Sequence, residues 1–193
     1  LPLLVAIHVG RPRSLGTLGA ENPFDRPWTT SIFKEPAIDP VFVGWTNLEG
    51  DGQADLKNHG GPDKAIYVYP SEHYALWRGD LERPELPYGG FGENFTVEGL
   101  VEADVCVGDI FAVGASRVQV SQPRQPCWKL ARRWRIKDLS ARVHTTGRTG
   151  WYFRVLVEGM VQAGQSLRLL ERPCPEWPIA RAHDIMAHRR LDR

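Results

Sequence analysis

Glycine and proline divide this chain into many short apolar segments, and this division limits the folds that the chain can adopt. About eight segments have the length and apolar content of β-strands, while only two or three show helical periodicity. Internal repeats and a βαβ alternation are both missing from the pattern. We therefore predict a mainly β fold, a closed or nearly closed antiparallel β-barrel with a few short helices and a C-terminal helical tail. The strand-like ranges are 3–9, 41–45, 65–69, 105–113, 117–121, 151–157 and 166–170, and the glycine-rich range 88–97 ends in a further strand.

The length of the chain predicts one domain. A chain of 193 residues with 42% hydrophobic content can bury one substantial core. We expect the barrel to occupy residues 1–172, and a proline-rich linker with the start of a C-terminal helix to occupy residues 173–193. The helical pattern covers residues 179–190 and is amphipathic.

Targeting signals are missing from the residues given. The apolar range 3–9 contains His8 and lacks the basic region and the cleavage site of a signal peptide. Apolar runs fall well short of the ~20 residues that span a bilayer. Because three cysteines cannot all pair, we expect a cytoplasmic protein with free thiols and no membrane partner.

The range 118–130 is the most informative part of the sequence. A strand-like alternation stops at Pro123, and Pro126 suits the first position of a helix over residues 127–134. Cys127 would then lie in the first helical turn, where the helix dipole favours a thiolate. Half ionisation at pH 7 requires roughly 2 kcal/mol from a pKa of about 8.5, more than a dipole supplies, so Arg124 and Lys129 are candidate cations. The alternative is a small buried core cysteine.

Positive charge is concentrated around this cysteine. Residues 124–154 carry nine Lys or Arg and one acid, a net charge of +8, while the other 15 basic and 22 acidic residues give −7. This asymmetry indicates an anionic ligand such as a phosphate. The near-neutral total and a pI near 7.9 predict that nucleic acid is not a partner. A solvated helix face is the open alternative for Arg132, Arg133, Arg135 and Lys137.

Two glycine-rich loops are further candidates for binding. In the first, Lys57, His59 and Lys64 surround Gly60 and Gly61, so side chains and backbone N–H groups could both hold an anion. The spacing differs from that of a Walker loop, and an ordinary turn is the alternative.

The second loop covers residues 88–97 and contains three glycines within four positions. Asn94 and Glu93 offer an amide and a carboxylate to a flat ligand. A tight turn into the following strand explains the same residues equally well.

Five motifs, in order, resemble those of the MOSC domain, named for the C-terminal domain of molybdenum cofactor sulfurases. The resemblance covers about residues 4–170 and is strongest to the free-standing bacterial YiiM-like branch. YiiM-like proteins commonly end in a further small helical domain, which we expect to be shortened or missing here. The motifs are Lys57…His59-Gly60-Gly61-Pro62-Asp63-Lys64-Ala65…Tyr67…Tyr69-Pro70, Phe91-Gly92-Glu93-Asn94, Val107-Gly108-Asp109, Gln122-Pro123-Arg124…Pro126-Cys127…Lys129-Leu130 and Thr146-Gly147…Gly150-Trp151-Tyr152…Arg154-Val155.

The resemblance implies a β-barrel that binds the molybdenum cofactor (molybdopterin). Cys127 stands where the family has a cysteine that ligates molybdenum or carries sulfur. A thiolate suits this soft metal, and cations and backbone donors suit the pterin's phosphate. The implied cofactor-binding residues are Lys57, His59, Gly60, Gly61, Lys64, Asn94 and Arg124.

The function that we expect from the resemblance is reduction of N-hydroxylated compounds, such as hydroxylaminopurine bases, by a molybdenum-dependent oxidoreductase. The substrate would be a small molecule, and a separate reductase would donate the electrons for its reduction. Flavin, nicotinamide and PLP sites are not evident in the sequence. One alternative is a sulfur carrier that forms a persulfide on Cys127 and receives sulfur from a partner. Another is a non-catalytic cofactor-binding module. A homodimer is also open.

Overall fold

The computed structural model describes residues 1–38 and 40–188, which form a mainly β fold. The strands are β1 (Leu3–Val9), β2 (Arg13–Leu15), β3 (Trp28–Thr30), β4 (Glu35–Pro36), β5 (Val41–Val43), β6 (Ile66–Pro70), β7 (Phe95–Glu98), β8 (Ile110–Val113), β9 (Ser116–Pro123), β10 (Trp151–Val157), β11 (Gly159–Val161) and β12 (Arg168–Glu171). The helices are α1 (Leu56–His59), α2 (Glu72–Asp80), α3 (Trp128–Trp134), α4 (Leu139–Thr146) and α5 (Ile179–His188), with 3-10 turns at Pro23–Asp25 and Pro62–Lys64.

Eight strands form one curled sheet in the order β12-β8-β9-β10-β6-β7-β1-β4, and the pairs β2-β3 and β5-β11 form two small sheets. Neighbouring strands are antiparallel, except that β6 and β7 run parallel, with Val68 opposite Phe95. The predicted antiparallel arrangement holds for the other neighbouring pairs of the curled sheet but not for this one. The physical reason is the connection, because residues 71–94, which include α2, are long enough to return the chain to the same end of the sheet.

The curled sheet is an open, nearly closed barrel, in agreement with the predicted fold class. The backbone just before β12 bonds to the start of β1, which narrows the gap between the edges of the sheet. The N–H group of Leu4 donates to the carbonyl of Gln165 (2.9 Å), and that of Leu167 donates to Pro2 (2.9 Å). Gly164 in turn donates to Leu4 (2.7 Å).

Strand β6 separates two apolar clusters. Ile66 and Val68 point into the main core, which collects apolar side chains from most strands of the curled sheet. Tyr67 and Tyr69 point to the other face and join a second cluster with α2, α3 and α4. Because side chains alternate along a strand, helices on the outer face bury the second set of residues. The outer face of the sheet is therefore where loops and helices meet.

The number of elements exceeds the prediction of about eight strands and two or three helices. Most of the additional strands are only two or three residues long, too short to show a repeated alternation. Helix α4 was also missed, although it buries Leu139 and Val143. Its two buried residues, four positions apart, are a weak periodic signal.

The C-terminal helix α5 packs on the barrel. Ile179 is part of the main core, and its N–H group donates to the carbonyl of Val105 (2.8 Å). Residues 189 and 190 of the predicted helix, with the rest of the tail to 193, lie outside the described residues. The domain boundary at residue 172 stays a prediction. None of the described helices is long and apolar enough to cross a membrane.

Candidate functional site

A cleft opens on the outer face of β6 and β10, where the rings of Tyr67 and Tyr152 form part of its wall. It encloses about 590 Å³ of empty space, including its open mouth. Five segments that are distant in sequence meet here. The cleft is lined by Thr30, Ser31, Ile32, Lys34, Asp51, Gly52, Gln53, Ala54, Asp55, His59, Lys64, Tyr67, Phe91, Gly92, Asn94, Arg124, Cys127, Lys129 and Tyr152.

Cys127 lies in this cleft as the N-cap residue of α3. Its backbone is extended (φ −115°, ψ 165°), and the helix begins at Trp128. The prediction that Cys127 lies within the first turn was therefore wrong by one residue. The physical reason is tertiary, because the hydroxyl of Ser140 in α4 donates to the Cys127 carbonyl (2.7 Å) and holds it at the helix start. The sulfur remains next to the helix N-terminus, as the sequence predicted.

The pKa of Cys127 is lowered to about 7 by its neighbours. Burial by itself raises the pKa, because it disfavours the thiolate. The hydrogen bond from His59 and the positive charge of Arg124 outweigh this effect. The backbone N–H of Lys129 also favours the thiolate, although it does not form a capping hydrogen bond. Cys127 is therefore about half ionised at neutral pH.

Arg124 is a buried cation with an unused donor. Its residue is only 4% exposed, and its guanidinium lies 5.1 Å from the centre of the Tyr67 ring. Its backbone N–H donates to the carbonyl of Gly150 (3.1 Å), which fixes the residue beside β10. The Nη1 atom is buried and has no hydrogen-bond partner among the described residues. Because leaving a buried charged donor unpaired is costly, the cleft suits an anionic ligand.

The predicted loop at residues 57–64 contributes two of its five candidate residues to the cleft, His59 and Lys64. The ammonium of Lys64 donates to the carbonyl of Asn58 (2.6 Å), within the same loop. Helix α1 is capped by Asp55, whose carboxylate accepts from the N–H of Asn58 (3.1 Å). This cap places His59 at the C-terminal end of α1, next to Cys127.

The other three candidates of that loop do not line the cleft. Lys57 is exposed on α1. Gly60 ends the helix, and a Cβ atom there would come within 2.9 Å of Leu56. Gly61 has a φ of +94°, which favours glycine for backbone reasons alone. Both glycines therefore serve the turn, and a part in cofactor binding stays a prediction for all three.

Asn94 lines the cleft, but its amide is used inside the protein. Its Oδ1 accepts from the N–H of Tyr67 (3.1 Å), and its Nδ2 donates to Asp51 (2.9 Å) and to the carbonyl of His8 (3.2 Å). Glu93 is fully buried and accepts from the N–H groups of Gly89 (2.7 Å) and Phe91 (3.1 Å). The second glycine-rich loop is therefore held by its own carboxylate, which favours the turn interpretation.

The basic helix face is not simply solvated. Arg132 donates to the carbonyl of Phe24 (3.0 Å), and Arg133 donates to that of Gly89 (2.8 Å). Arg135 pairs with Asp25 (2.5 Å) at the surface. Much of the positive charge of residues 124–154 thus holds the protein together. Within the described part of this segment, Arg124 and Lys129 are the cations that line the cleft.

Several lining residues were not among the site residues predicted from the sequence. Tyr67 and Tyr152 lie in continuous apolar runs, and such runs are typical of strands that are buried on both faces. That signal could have predicted that other elements cover these rings on the outer face of the sheet. Lys34 and Asp51 form a buried ion pair, although they are 17 residues apart in chain segments without periodicity. Their pairing depends on the tertiary fold. Clusters of three or more His, Cys, Asp or Glu suited to a metal are absent from the described residues.

Comparisons with known proteins agree with this architecture. The family model described as "MOSC domain" matches residues 55–168, more than half of the chain. YflK of Bacillus subtilis (strain 168), described as an uncharacterized protein, is 50% identical over 169 residues, covering 88% of this chain and 73% of YflK. A Gibberella moniliformis protein described as "Reductase" is 34% identical over 194 residues. That alignment covers 98% of this chain but only 33% of the fungal protein.

A solved structure extends the similarity to three dimensions. The crystal structure of YiiM from Geobacillus stearothermophilus has a TM-score of 0.79 and 41% sequence identity. The match covers 99% of this chain and 86% of that one. Sequence motifs, fold and structural neighbour therefore agree, and the chain belongs to the MOSC domain family, with YiiM-type proteins among its relatives.

Proposed function

We propose that this protein binds a molybdopterin-type molybdenum cofactor in the cleft and reduces N-hydroxylated compounds such as hydroxylaminopurine bases. The MOSC domain is associated with molybdenum cofactor binding, and the fungal relative is named a reductase. The chain spans a third of that relative, so a reductase activity is a proposal for this chain.

The observation that carries the proposal is the pairing of Cys127 with Arg124 in one cleft. The thiolate is a soft ligand of the kind that molybdenum accepts, and a pterin dithiolene supplies further sulfur ligands of its own. The buried Nη1 atom of Arg124 lacks an acceptor among the described residues, as expected for a donor that binds an anionic ligand. The residues present therefore fit the cofactor.

The proposed roles of the residues follow from their positions. Cys127 would ligate the metal, and Arg124, Lys64 and Lys129 would bind the anionic part of the cofactor. His59 lies next to Cys127 and lowers the pKa of its thiol, which keeps the thiolate available as a ligand. The aromatic wall would exclude water from the ring faces of the ligand.

The overall reaction needs two electrons and two protons for each N–O bond that is cleaved, and it yields an amine and water. The cofactor, when bound, would supply the two-electron redox centre for this chemistry. A separate reductase of the flavin or iron–sulfur class would deliver the electrons. The cleft opens to solvent, so a small planar substrate could enter from its mouth.

The proposal is tested with protein produced in a host that makes the cofactor. Bound molybdenum and pterin are measured first, and the reduction of 6-hydroxylaminopurine is then followed with reduced methyl viologen as electron donor. We expect Cys127→Ala to lower the rate by about 100-fold or more, since removing even a supporting residue of a metal site costs about 10–100-fold. Cys174→Ala is the control and should keep the rate. A Cys127→Ala variant as active as the wild type would refute the mechanism.

A sulfur carrier is the second candidate, because a cysteine with a pKa of about 7 is also suited to hold a persulfide. Mass spectrometry of the purified protein separates the two functions. Gain of one sulfur atom on Cys127 supports the carrier, whereas bound molybdenum and pterin support the reductase.

A further inference from the structure

The end of the cleft formed by residues 30–34 holds polar groups that the proposed roles do not use. Ser31 and Lys34 both line the cleft. The Lys34 side chain is 7% exposed, and Asp51 is the one described residue to which its ammonium is bonded. The hydroxyl oxygen of Ser31 is buried without a hydrogen-bond partner in the described structure. Since buried donors without acceptors are costly, this end of the cleft is suited to receive an acceptor from a ligand.

A chain of contacts connects this end to Arg124. Asp51, which pairs with Lys34, accepts from the amide of Asn94 (2.9 Å). Asn94 accepts from the backbone of Tyr67 (3.1 Å), and the Arg124 guanidinium lies over the Tyr67 ring. All five residues line the same cleft. A single ligand could therefore contact Arg124 with one group and Lys34 with another.

The charges of the two ends differ, which indicates different ligand groups. Asp51 neutralises Lys34, so an anion gains little net attraction there, whereas an uncharged oxygen can still accept from the ammonium and from Ser31. Arg124 has no carboxylate partner among the described residues, and it suits an anion. The aromatic residues Phe91 and Tyr152 also line the cleft and favour a flat ligand.

We infer that Ser31 and Lys34 form a hydrogen-bonding subsite for the ring carbonyl of a flat heterocycle, whose anionic substituent is bound by Arg124. The inference rests on the proposed function, in which this heterocycle is the pterin of the cofactor. The subsite would recognise the heterocycle by its oxygen acceptor, because a ring without that oxygen leaves the donors unpaired.

The test uses the cofactor-free protein and two probes that differ at one ring position. Pterin-6-carboxylate carries the ring carbonyl, and 2,4-diaminopteridine-6-carboxylate has an amino group in its place. Their dissociation constants are measured by calorimetric titration at pH 8. We expect the wild type to prefer the carbonyl probe by about tenfold, the size of one or two neutral hydrogen bonds. Ser31→Ala should lower this preference, and Lys34→Met/Asp51→Asn should remove it.

The double variant keeps the site free of an unpaired buried carboxylate, and circular dichroism confirms that each variant is folded. Lys137→Met, at an exposed cation outside the cleft, should keep the tenfold preference. Arg124→Leu should weaken the binding of both probes by the same factor and leave the ratio of their dissociation constants unchanged.

Four results would overturn the inference. Equal affinities of the wild type for both probes, or an unchanged ratio in the Ser31 and Lys34 variants, would refute the subsite and leave the proposed function standing. Binding of neither probe would refute the subsite and also count against a pterin cofactor. Hypoxanthine binding that weakens in Ser31→Ala, with no preference between the pteridines, would assign the carbonyl to a purine instead.

Discussion

The ionisation of Cys127 is set by competition between burial and its polar neighbours. Burial raises the pKa, while His59, Arg124 and the backbone of Lys129 lower it, with a net result of about 7. The sequence predicted Arg124 as a cation of this set, because it lies three residues before the cysteine. Lys129 was also predicted as a cation, but it lowers the pKa through its backbone N–H group. The sequence named His59 as a binding residue but could not predict its contact with Cys127, since the two residues are 68 positions apart in the chain.

The alkylation of Cys127 should report this balance directly. We expect its reaction with iodoacetamide to rise with pH around a midpoint near 7, because the thiolate is the nucleophile. In His59→Gln, the midpoint should move up by roughly one unit, since a hydrogen bond to the thiolate is lost. Peptide mass spectrometry separates the three cysteines. Cys106, whose pKa is raised by burial, is the internal control and should react slowly. An unmoved midpoint in His59→Gln would contradict the assignment.

Helix α3 begins directly after Cys127, and the arginines of its basic face bond to the loops around the cleft. Arg133 donates to the carbonyls of Ile32 and Gly89. Ile32 lines the cleft, and Gly89 lies in the loop that contributes Phe91 and Gly92 to its lining. The sequence predicted the helix within one residue, because its apolar positions are spaced for one face. It left the role of the arginines open, since a cation on a helix looks the same whether it contacts solvent or a carbonyl.

Removal of Arg133 should therefore destabilise the protein more than removal of an exposed cation from the same region. We expect Arg133→Met to lower the free energy of unfolding by about 1–3 kcal/mol, because two buried carbonyls lose a charged donor. Lys137→Met is the matched control and should change it by less than about 0.5 kcal/mol. Urea denaturation monitored by tryptophan fluorescence measures both. Equal effects would show that the Arg133 contacts contribute nothing.

The whole molecule is a curled sheet whose gap is narrowed by a seam between residues 164–167 and the start of β1. Gly164 takes part in this seam with a φ of +90°. A Cβ atom at Gly164 would meet open space, and so would one at Gly79 in α2. The two glycines therefore differ in backbone conformation and not in steric room.

This pair gives a matched test of the seam. We expect Gly164→Ala to destabilise the protein by about 1 kcal/mol, because alanine disfavours the left-handed region. Gly79→Ala should stabilise it by about 0.5–1 kcal/mol, since alanine is the better helix former. Thermal unfolding curves compare the variants with the wild type. A stabilising Gly164→Ala would mean that the seam does not constrain residue 164.

The stability of the whole molecule should also depend on the thiolate. The pKa of Cys127 is about 7 in the folded state and near 8.5 when unfolded. Between these values the unfolded chain binds more protons, so stability rises with pH by up to about 2 kcal/mol. The contribution is fully present above pH 8.5 and is lost as the pH falls through 7. Unfolding free energies of the wild type and Cys127→Ser at pH 6.5 and 9, measured with reductant, should show this difference. A gap that does not change with pH would contradict it.

The sequence by itself determined the features that are local in the chain. Strand β1 and strand β10 were predicted with their observed bounds, and α3 within one residue, because periodicity and proline are visible over a few residues. Motif order also identified the family, and Cys127 was recognised as a thiol next to a helix start and a cation.

Only the tertiary structure decided which residues meet. Of the eight predicted site residues, it brings Cys127, His59, Lys64, Asn94 and Arg124 to one cleft and leaves Lys57, Gly60 and Gly61 outside its lining. It adds Ser31 and Lys34, whose neighbours in the chain carry no signal of a site, and Tyr152, which was part of a family motif but was not predicted as a site residue. Long-range pairing of strands and loops creates these contacts. A single sequence does not show which distant segments pair.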